Sequence, residues 1–466
     1  MSMFPVKPET VPRKSGQQLR NKSRHNGPVR AAVHASPPTV PASLSPTVTM
    51  TKHSKYLLNH YLHRTGKMAS AHIGDYAPFT DSLLPIAHAS DMLLESILTF
   101  SSFHLTATGS QFSPVLTMEH QALALRKLKY GLTRYDCGDK DVGIQLFLSM
   151  LMLCCVELAN NIQDESSFRH LAALRHLAPG ILSRGKTIPE AYKPAMVFGR
   201  ELYAYFLAVS CICAPEDVRN STAIQDSATI FSHIAEHGHT GAMLGCSDEL
   251  FCLVPEVVAI LEEARKLTLL GSRISGLDLT AAGLSSDAAM LMPRIGLLLT
   301  PVSLWEPCES NDGSFETSGR VLRLAVKILL TEALYWCTAV QAEFDADKEC
   351  STESLRFECA PNLELHTTPL VAEAVTLLKK LPARSRIATT MCWSMAVLGS
   401  YATVESHRTA LRQYLLIMES TFGFRNMTRT RLLLEYIWSR ISTFQTARPM
   451  DISQAMAAIG GRFLLG

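Results

Sequence analysis

The chain has 466 residues, of which 47% are hydrophobic and 18% are charged, and its formal net charge is +2. This composition excludes a chain that is disordered throughout and predicts one large or two ordinary domains. The near balance of charge argues against a surface built wholly around nucleic acid or an anionic membrane.

Residues 1–54 differ in composition from the rest of the chain. They contain eight of the 23 prolines and a single aromatic residue, Phe4, so they cannot bury enough apolar surface to fold. They also lack the apolar core of a secretory signal. We therefore expect residues 1–54 to form a disordered Pro/Ser/Thr-rich tail.

The tail is strongly basic. Residues 1–55 carry a formal charge of +8, and the remainder of the chain carries −6. An unfolded basic segment suits a nuclear import receptor or phosphate contacts, although a plain solubilising terminus is an equally good interpretation. The residues assigned to this segment are Arg13, Lys14, Arg20, Lys22, Arg24 and Arg30.

From Tyr56 onward, apolar residues recur with helical periodicity. In the segment 114–135, Leu125, Leu128, Leu132 and Tyr135 recur at spacings of three and four, which predicts an amphipathic helix with this stripe facing the core. The segments 250–267 and 318–344 show similar patterns, and clear strand alternation is missing. We therefore predict an all-α fold, with one large multi-helical domain over residues 55–466.

The segment 143–158 is the most membrane-like in the sequence. It contains Gln145 and Glu157 and is shorter than the roughly 18 to 20 apolar residues that a spanning helix needs. We therefore expect a buried core helix and no membrane contact.

The motif His233-Ile234-Ala235-Glu236-His237 has the H-x-x-E-H form of the inverted zinc peptidases. Imidazoles one helical turn apart can bind one zinc ion, with Glu236 as general base. The motif has no evident third ligand, and His237-Gly238 suggests a helix end. A zinc hydrolase is therefore the alternative hypothesis, and we expect purified protein to hold well under one zinc per molecule.

The remaining sequence predicts no cofactor. The twelve cysteines never form a Cys-x2-Cys pair and are expected to be reduced core thiols. Glycine motifs for nucleotides and nucleophile elbows are also missing. Two basic groups could contact phosphates but are more typical of solvated helix faces: Arg126, Lys127, Lys129 and Arg134, and Arg425, Arg429 and Arg431.

Several strings, in order along the chain, resemble the regulatory domain of fungus-specific transcription factors. The first is residues 56–62, YLLNHYL, which is similar to the first helix of that family. His170 and Leu171 lie in a string similar to W-x-x-H-L-x-G-A, with Ser167 in the tryptophan position and Ala173 in the glycine position.

Two later strings extend the resemblance to about residues 54–445. Residues 244–251, LGCSDELF, contain Gly245, Cys246 and Leu250 and match best. Residues 392–399, CWSMAVLG, resemble the family's W-P-L-x-x-x-G helix with Trp393 and Gly399 in place and serine for proline, and Trp438 follows in the last core helix. We interpret these residues as packing positions.

The resemblance implies a nuclear, pathway-specific transcriptional regulator, for example of a secondary-metabolite gene cluster, and no enzyme. Complete members of the family begin with a six-cysteine zinc cluster, but the first cysteine here is Cys137. We therefore expect DNA contact that is weak or made through a partner. Expected partners are other transcription regulators or a second copy of the chain, with a small-molecule effector as a further possibility. A non-nuclear helical interaction protein is the third hypothesis.

Overall fold

The computed structural model describes residues 50–466 except 72–75, 111, 161–165, 184–187, 215–221, 272–277, 309–312, 350–360 and 445–450. All of the described residues fall within one compact unit, Ala42–Gly466. The basic residues from Arg13 to Arg30 lie outside the described residues.

The described residues form helices and contain no β-strand, which confirms the all-α prediction. The helices are α1 (Lys52–His60), α2 (Gly66–Met68), α3 (Pro78–Asp81), α4 (Leu84–Ala87), α5 (Asp91–Ala107), α6 (Pro114–Asp136), α7 (Gly143–Ala159), α8 (Ser166–Leu182), α9 (Lys193–Ser210), α10 (Thr222–His237), α11 (Asp248–Gly271), α12 (Asp278–Leu304), α13 (Gly313–Glu349), α14 (Pro361–Lys380), α15 (Cys392–Ser400), α16 (Glu405–Phe422), α17 (Arg425–Phe444) and α18 (Ile452–Ala458). A π-helical turn, Tyr61–Thr65, joins α1 to α2.

Local sequence explains several helix ends. The side chains of Thr51, Ser90 and Asp451 accept hydrogen bonds from the first free backbone N–H groups of α1, α5 and α18, which otherwise lack an intrahelical partner. Gly423 ends α16 in the left-handed region, at φ 74°, where glycine carries no Cβ penalty.

Helix α7 lies at the centre of the first half of the domain. It packs against α5, α8 and α9, and every residue from 146 to 157 is buried. A helix that is apolar on all sides is stable only when other helices surround it. The prediction of a buried core helix over 143–158 is therefore confirmed.

Helix α13 has the same role in the second half, where it contacts α11, α12, α14 and α15. The C-terminal helices α15 and α17 pack against each other, and α17 also contacts α7. The two halves thus share one continuous apolar core.

The predicted core stripe of α6 is wrong at one position. Ala124, Leu128 and Gly131 are buried, whereas Leu125 is 40% exposed. A Cβ added at Gly131 would lie 2.9 Å from the Met92 sulfur, so small residues let α6 approach α5 closely. A search for large apolar residues misses a contact face built on alanine and glycine.

Two helical segments are long and apolar enough to cross a bilayer by length and composition alone. The first, 140–159, contains α7 and is 83% buried within the protein. The second, 284–304, belongs to α12 and is 28% buried. Its exposed side includes Met290, Leu297 and Leu304, at 71%, 75% and 76% exposure, spaced seven residues apart. We call these three residues the α12 face.

Candidate functional site

The loop that joins α10 to α11, residues 238–247, is held by a buried carboxylate. Glu201 of α9 is fully buried, and its oxygens accept hydrogen bonds from the backbone N–H of Thr240 at 2.6 Å, Met243 at 2.7 Å and Leu244 at 3.1 Å. The Thr240 hydroxyl donates a fourth bond at 2.5 Å. Several N–H donors on one carboxylate stabilise its charge inside the protein. Glu201 therefore fixes the backbone that leads into the best-matching family string.

The string itself begins in a conformation that favours glycine. Gly245 has φ +58°, and a Cβ there would lie 3.0 Å from the Phe315 ring. The Cys246 thiol donates to the Phe315 carbonyl oxygen at 3.7 Å, and burial raises the pKa of Cys246 to about 11. This cysteine therefore stays a neutral thiol near pH 7. Leu250, in the first turn of α11, is 1% exposed.

The second family string meets the last core helix directly. The Trp438 indole N–H donates to the Gly399 carbonyl oxygen at 2.8 Å, and a Cβ at Gly399 would lie 2.6 Å from both terminal methyls of Leu434. Trp393, at 1% exposure, is buried in α15, and its indole nitrogen has no hydrogen-bond partner among the described residues. Side chains of α17 therefore contact the backbone of α15 directly at residue 399. This close approach is possible only because residue 399 has no side chain.

The string in α8 lies at the edge of the core. Leu171 is 1% exposed, and His170 beside it is half-buried. Together with the residues above, these positions lie in helix contacts. Their interpretation as packing positions remains a prediction.

A buried ionic cluster joins four helices, and sequence analysis did not find it. Glu332 of α13 is 1% exposed and receives two bonds of 2.8 Å from Arg265 of α11, one of 2.8 Å from the Trp336 indole, and one from the Tyr401 hydroxyl that follows α15. Arg265 also donates to Asp451, the N-cap of α18, at 2.7 Å. Burial disfavours the charged carboxyl, but Arg265 and the hydrogen bonds outweigh it and lower the pKa of Glu332.

A second polar group lies beside the π-helical turn. His104 of α5 is 1% exposed, and its Nε2 is 2.8 Å from the Phe422 carbonyl oxygen. Because a carbonyl only accepts, Nε2 carries the proton. Nδ1 therefore accepts, with the Thr65 hydroxyl at 2.9 Å and His60 Nε2 at 3.2 Å. Burial lowers the pKa of His104 to about 4, and burial with nearby Arg64 does the same to His60.

The predicted zinc motif lies on the last turn of α10. One ligand atom from each of His233, Glu236 and His237 lies within 4.8 Å of the others. His233 is half-buried, whereas Glu236 and His237 are exposed. These three residues are the group in the described part of the chain that could hold a metal ion.

Three of the seven cations in the predicted helical basic groups form ion pairs. In α6, Lys127 lies 3.4 Å from Asp91, and Arg134 is paired with Asp139, while Arg126 and Lys129 are exposed. In α17, the Arg431 guanidinium lies 2.7 Å from Glu419, Arg429 is buried and Arg425 is half-buried. Neither helix presents all of its predicted cations to solvent.

A small cavity lies in the core between α3, α5, α7 and the C-terminal residues. Its volume is about 20 Å³, and Phe79, Phe100, Cys155 and Asn426 are among the residues that line it. This is the space of a water molecule rather than a metabolite. The Asn426 Oδ1 is buried without a hydrogen-bond partner among the described residues, which suits a water molecule there.

Comparison with known families gives one match. The model of the fungal specific transcription factor domain matches residues 56–448, which covers nearly all of the helical body. Neither a curated protein nor a solved structure matches the chain.

Proposed function

Because the chain belongs to the fungal specific transcription factor domain family, we propose that this fungal transcriptional regulator acts in the nucleus on the genes of one pathway, such as a secondary-metabolite cluster. The observation that carries the proposal is the family match over residues 56–448. We further propose two functional parts, a basic tail over 1–54 and a helical regulatory domain over 55–466.

Sequence-specific DNA contact is assigned to a partner. Reading bases requires side chains held rigidly in a groove, whereas an unfolded basic tail supplies phosphate contacts alone. The pairing of Lys127, Arg134 and Arg431 with acids also disfavours base readout by α6 or α17. Purified full-length chain should therefore bind duplex DNA weakly, with affinity that falls steeply as salt rises.

A gel-shift titration tests this assignment. The expected result is equal binding to promoter and scrambled duplexes, and most of it should be lost when the six basic residues from Arg13 to Arg30 are changed to glutamine. A footprint at a defined sequence by the purified chain alone would show that a helical face reads DNA directly.

The α12 face is the surface that we assign to a partner regulator. Its three large apolar side chains, Met290, Leu297 and Leu304, are each more than two-thirds exposed. The nearby Arg294 is paired with Glu263 at 3.0 Å, so its charge is partly neutralised, and the exposed Asp287 lies one turn before Met290. Exposed apolar surface of this kind marks contact sites in soluble proteins.

A tethering assay tests the regulatory role and the contact together. The full chain, fused to an unrelated DNA-binding domain, should change transcription of a reporter that carries the matching operator. Leu297→Glu should abolish the change because it places a charge in the apolar contact. The matched control is Leu365→Glu on α14, where an apolar side chain is 70% exposed but lies outside the α12 face.

Each outcome of that assay is informative. If the wild-type fusion leaves the reporter unchanged, the regulatory proposal fails. If Leu297→Glu and Leu365→Glu act alike, the α12 face is not the contact. Sedimentation of the purified chain separates a second copy from a different protein as the partner. A tagged chain that stays in the cytoplasm would favour a helical interaction protein without a promoter role.

A further inference from the structure

We infer that the last turn of α10 is a binding site for a single divalent transition-metal ion of the zinc type. His233 and His237 are separated by one helical turn, and Glu236 lies beside them. One donor atom from each lies within 4.8 Å of the other two, close enough to converge on one ion after small rotamer changes. Imidazole nitrogen and carboxylate oxygen form a ligand set that zinc accepts.

The tautomer of His237 is already suited to metal binding. Its Nδ1 lies 3.0 Å from the His233 backbone carbonyl oxygen, and because a carbonyl only accepts, Nδ1 carries the proton. The lone pair is then on Nε2. A ring N–H bonded to a backbone carbonyl is the usual outer contact of a metal-bound histidine, because it fixes both the tautomer and the ring orientation.

The position of the three residues at the C-terminal end of α10 also favours a bound cation. α10 ends at His237, and the carbonyl groups of the last turn give this end of a helix partial negative charge, which stabilises cations. The Glu236 carboxylate adds a formal negative charge, and its oxygen lies 3.9 Å from the protonated Nδ1 of His237.

The second imidazole, that of His233, has a nitrogen free to take a ligand. The Nδ1 atom of His233 is buried and has no hydrogen-bond partner among the described residues. Buried polar atoms in native proteins nearly always have a partner, and an atom without a protein partner often contacts a bound ion or a water molecule.

The site has three protein ligands and no fourth within the adjoining loop. His239 follows closely, but its Nδ1 accepts from the Gly241 backbone N–H at 3.1 Å. Water would complete the coordination. With three ligands at an exposed position, we expect the ion to bind reversibly and to be lost during purification. This agrees with the expectation that purified protein holds well under one zinc per molecule.

The site is one of binding rather than hydrolysis. In a zinc peptidase of this motif the glutamate is a free base. Here the Glu236 carboxylate lies within 4.8 Å of both imidazoles, so it is placed to bind the same ion rather than to act as a free base. Bound metal would instead stabilise the end of α10 and the start of the loop that Glu201 holds.

Calorimetric titration of zinc into the full chain tests the site. Cys137 and Cys308 are exposed free thiols, so the titration uses a background with both cysteines changed to serine. One equivalent should bind, and thermal unfolding should shift upward with zinc concentration. His237→Ala should weaken binding by on the order of tenfold or more, and Glu236→Gln should weaken it less. Magnesium should not bind, because it prefers oxygen ligands.

The matched control is His366→Ala, which removes an exposed histidine on α14 and should bind zinc as the background does. Circular dichroism verifies that each variant is folded, and His237→Ala is the primary variant because its side chain is exposed. The inference is overturned if zinc well above the protein concentration produces no heat of binding, or if His237→Ala binds as tightly as the background.

Discussion

Replacing Gly399 with alanine probes the contact between α15 and α17. The added Cβ would lie 2.6 Å from both terminal methyls of Leu434. Rotation about χ2 of Leu434 cannot relieve both contacts, because it leaves Cγ in place, and Cγ itself would lie 3.2 Å from the new Cβ. Leu434 is fully buried, and the Trp438 bond to the Gly399 carbonyl holds the two helices together at this point.

The expected magnitude follows from two opposed effects. An extra methyl in a packed core costs about 1–3 kcal/mol, and the double contact places this case near 3. Alanine recovers about 1 kcal/mol over glycine within a helix. Gly399→Ala should therefore reduce the free energy of unfolding by about 2 kcal/mol.

A double-mutant cycle separates the clash from other effects. Leu434→Ala alone should cost about 2–5 kcal/mol. In the presence of Leu434→Ala, the Gly399→Ala methyl has room, so only the gain in helix propensity remains. The coupling free energy should then favour the double mutant by about 3 kcal/mol. Urea denaturation followed by circular dichroism gives each value.

Gly296→Ala is the control. Gly296 also lies within a helix, α12, but no atom would come within 4 Å of its Cβ, so alanine should stabilise the protein by about 1 kcal/mol. If Gly399→Ala behaves like Gly296→Ala, or if the cycle is additive, residue 399 does not limit the approach of α15 to α17.

Three further predictions concern the buried core. Trp393→Ala should cost about 3–5 kcal/mol and lower cellular abundance, measured by urea denaturation and immunoblotting; stability equal to wild type would remove the physical support for this family position. Stability should fall as the pH drops from about 6.5 to about 4, because the unfolded chain binds a proton that His104 excludes until its pKa of about 4; this group contributes about 3 kcal/mol at most, and His104→Gln should flatten the acid limb of the unfolding profile. Glu332→Gln should cost about 3–5 kcal/mol, because Arg265 keeps its charge but loses its main buried partner; an unchanged urea midpoint would show that Asp451 alone compensates the guanidinium.

The fold class was predictable because periodicity records which side of a helix is buried. The burial of α7 followed from a segment that is apolar on every side. The misplaced stripe of α6 shows the limit of this reasoning. Beside the predicted Leu128, the contact face there includes Ala124 and Gly131. These two small residues contribute little apolar area, but they allow the neighbouring helix to approach closely.

The polar clusters were not predictable from periodicity. Glu201 is bonded to a loop about forty residues later, and Glu332 is bonded to an arginine 67 residues earlier. A charged residue within an apolar helix is the one signal in the sequence, and it does not identify the partner. Tertiary structure alone brings these charges together.

Chromatin immunoprecipitation of the tagged full-length chain tests whether the protein regulates transcription through a DNA-binding partner. We expect enrichment at a small set of promoters in the cell, while the purified chain leaves no footprint on the same DNA. Enrichment that is absent throughout the genome would contradict the regulatory role, and a footprint by the purified chain would contradict the need for a partner.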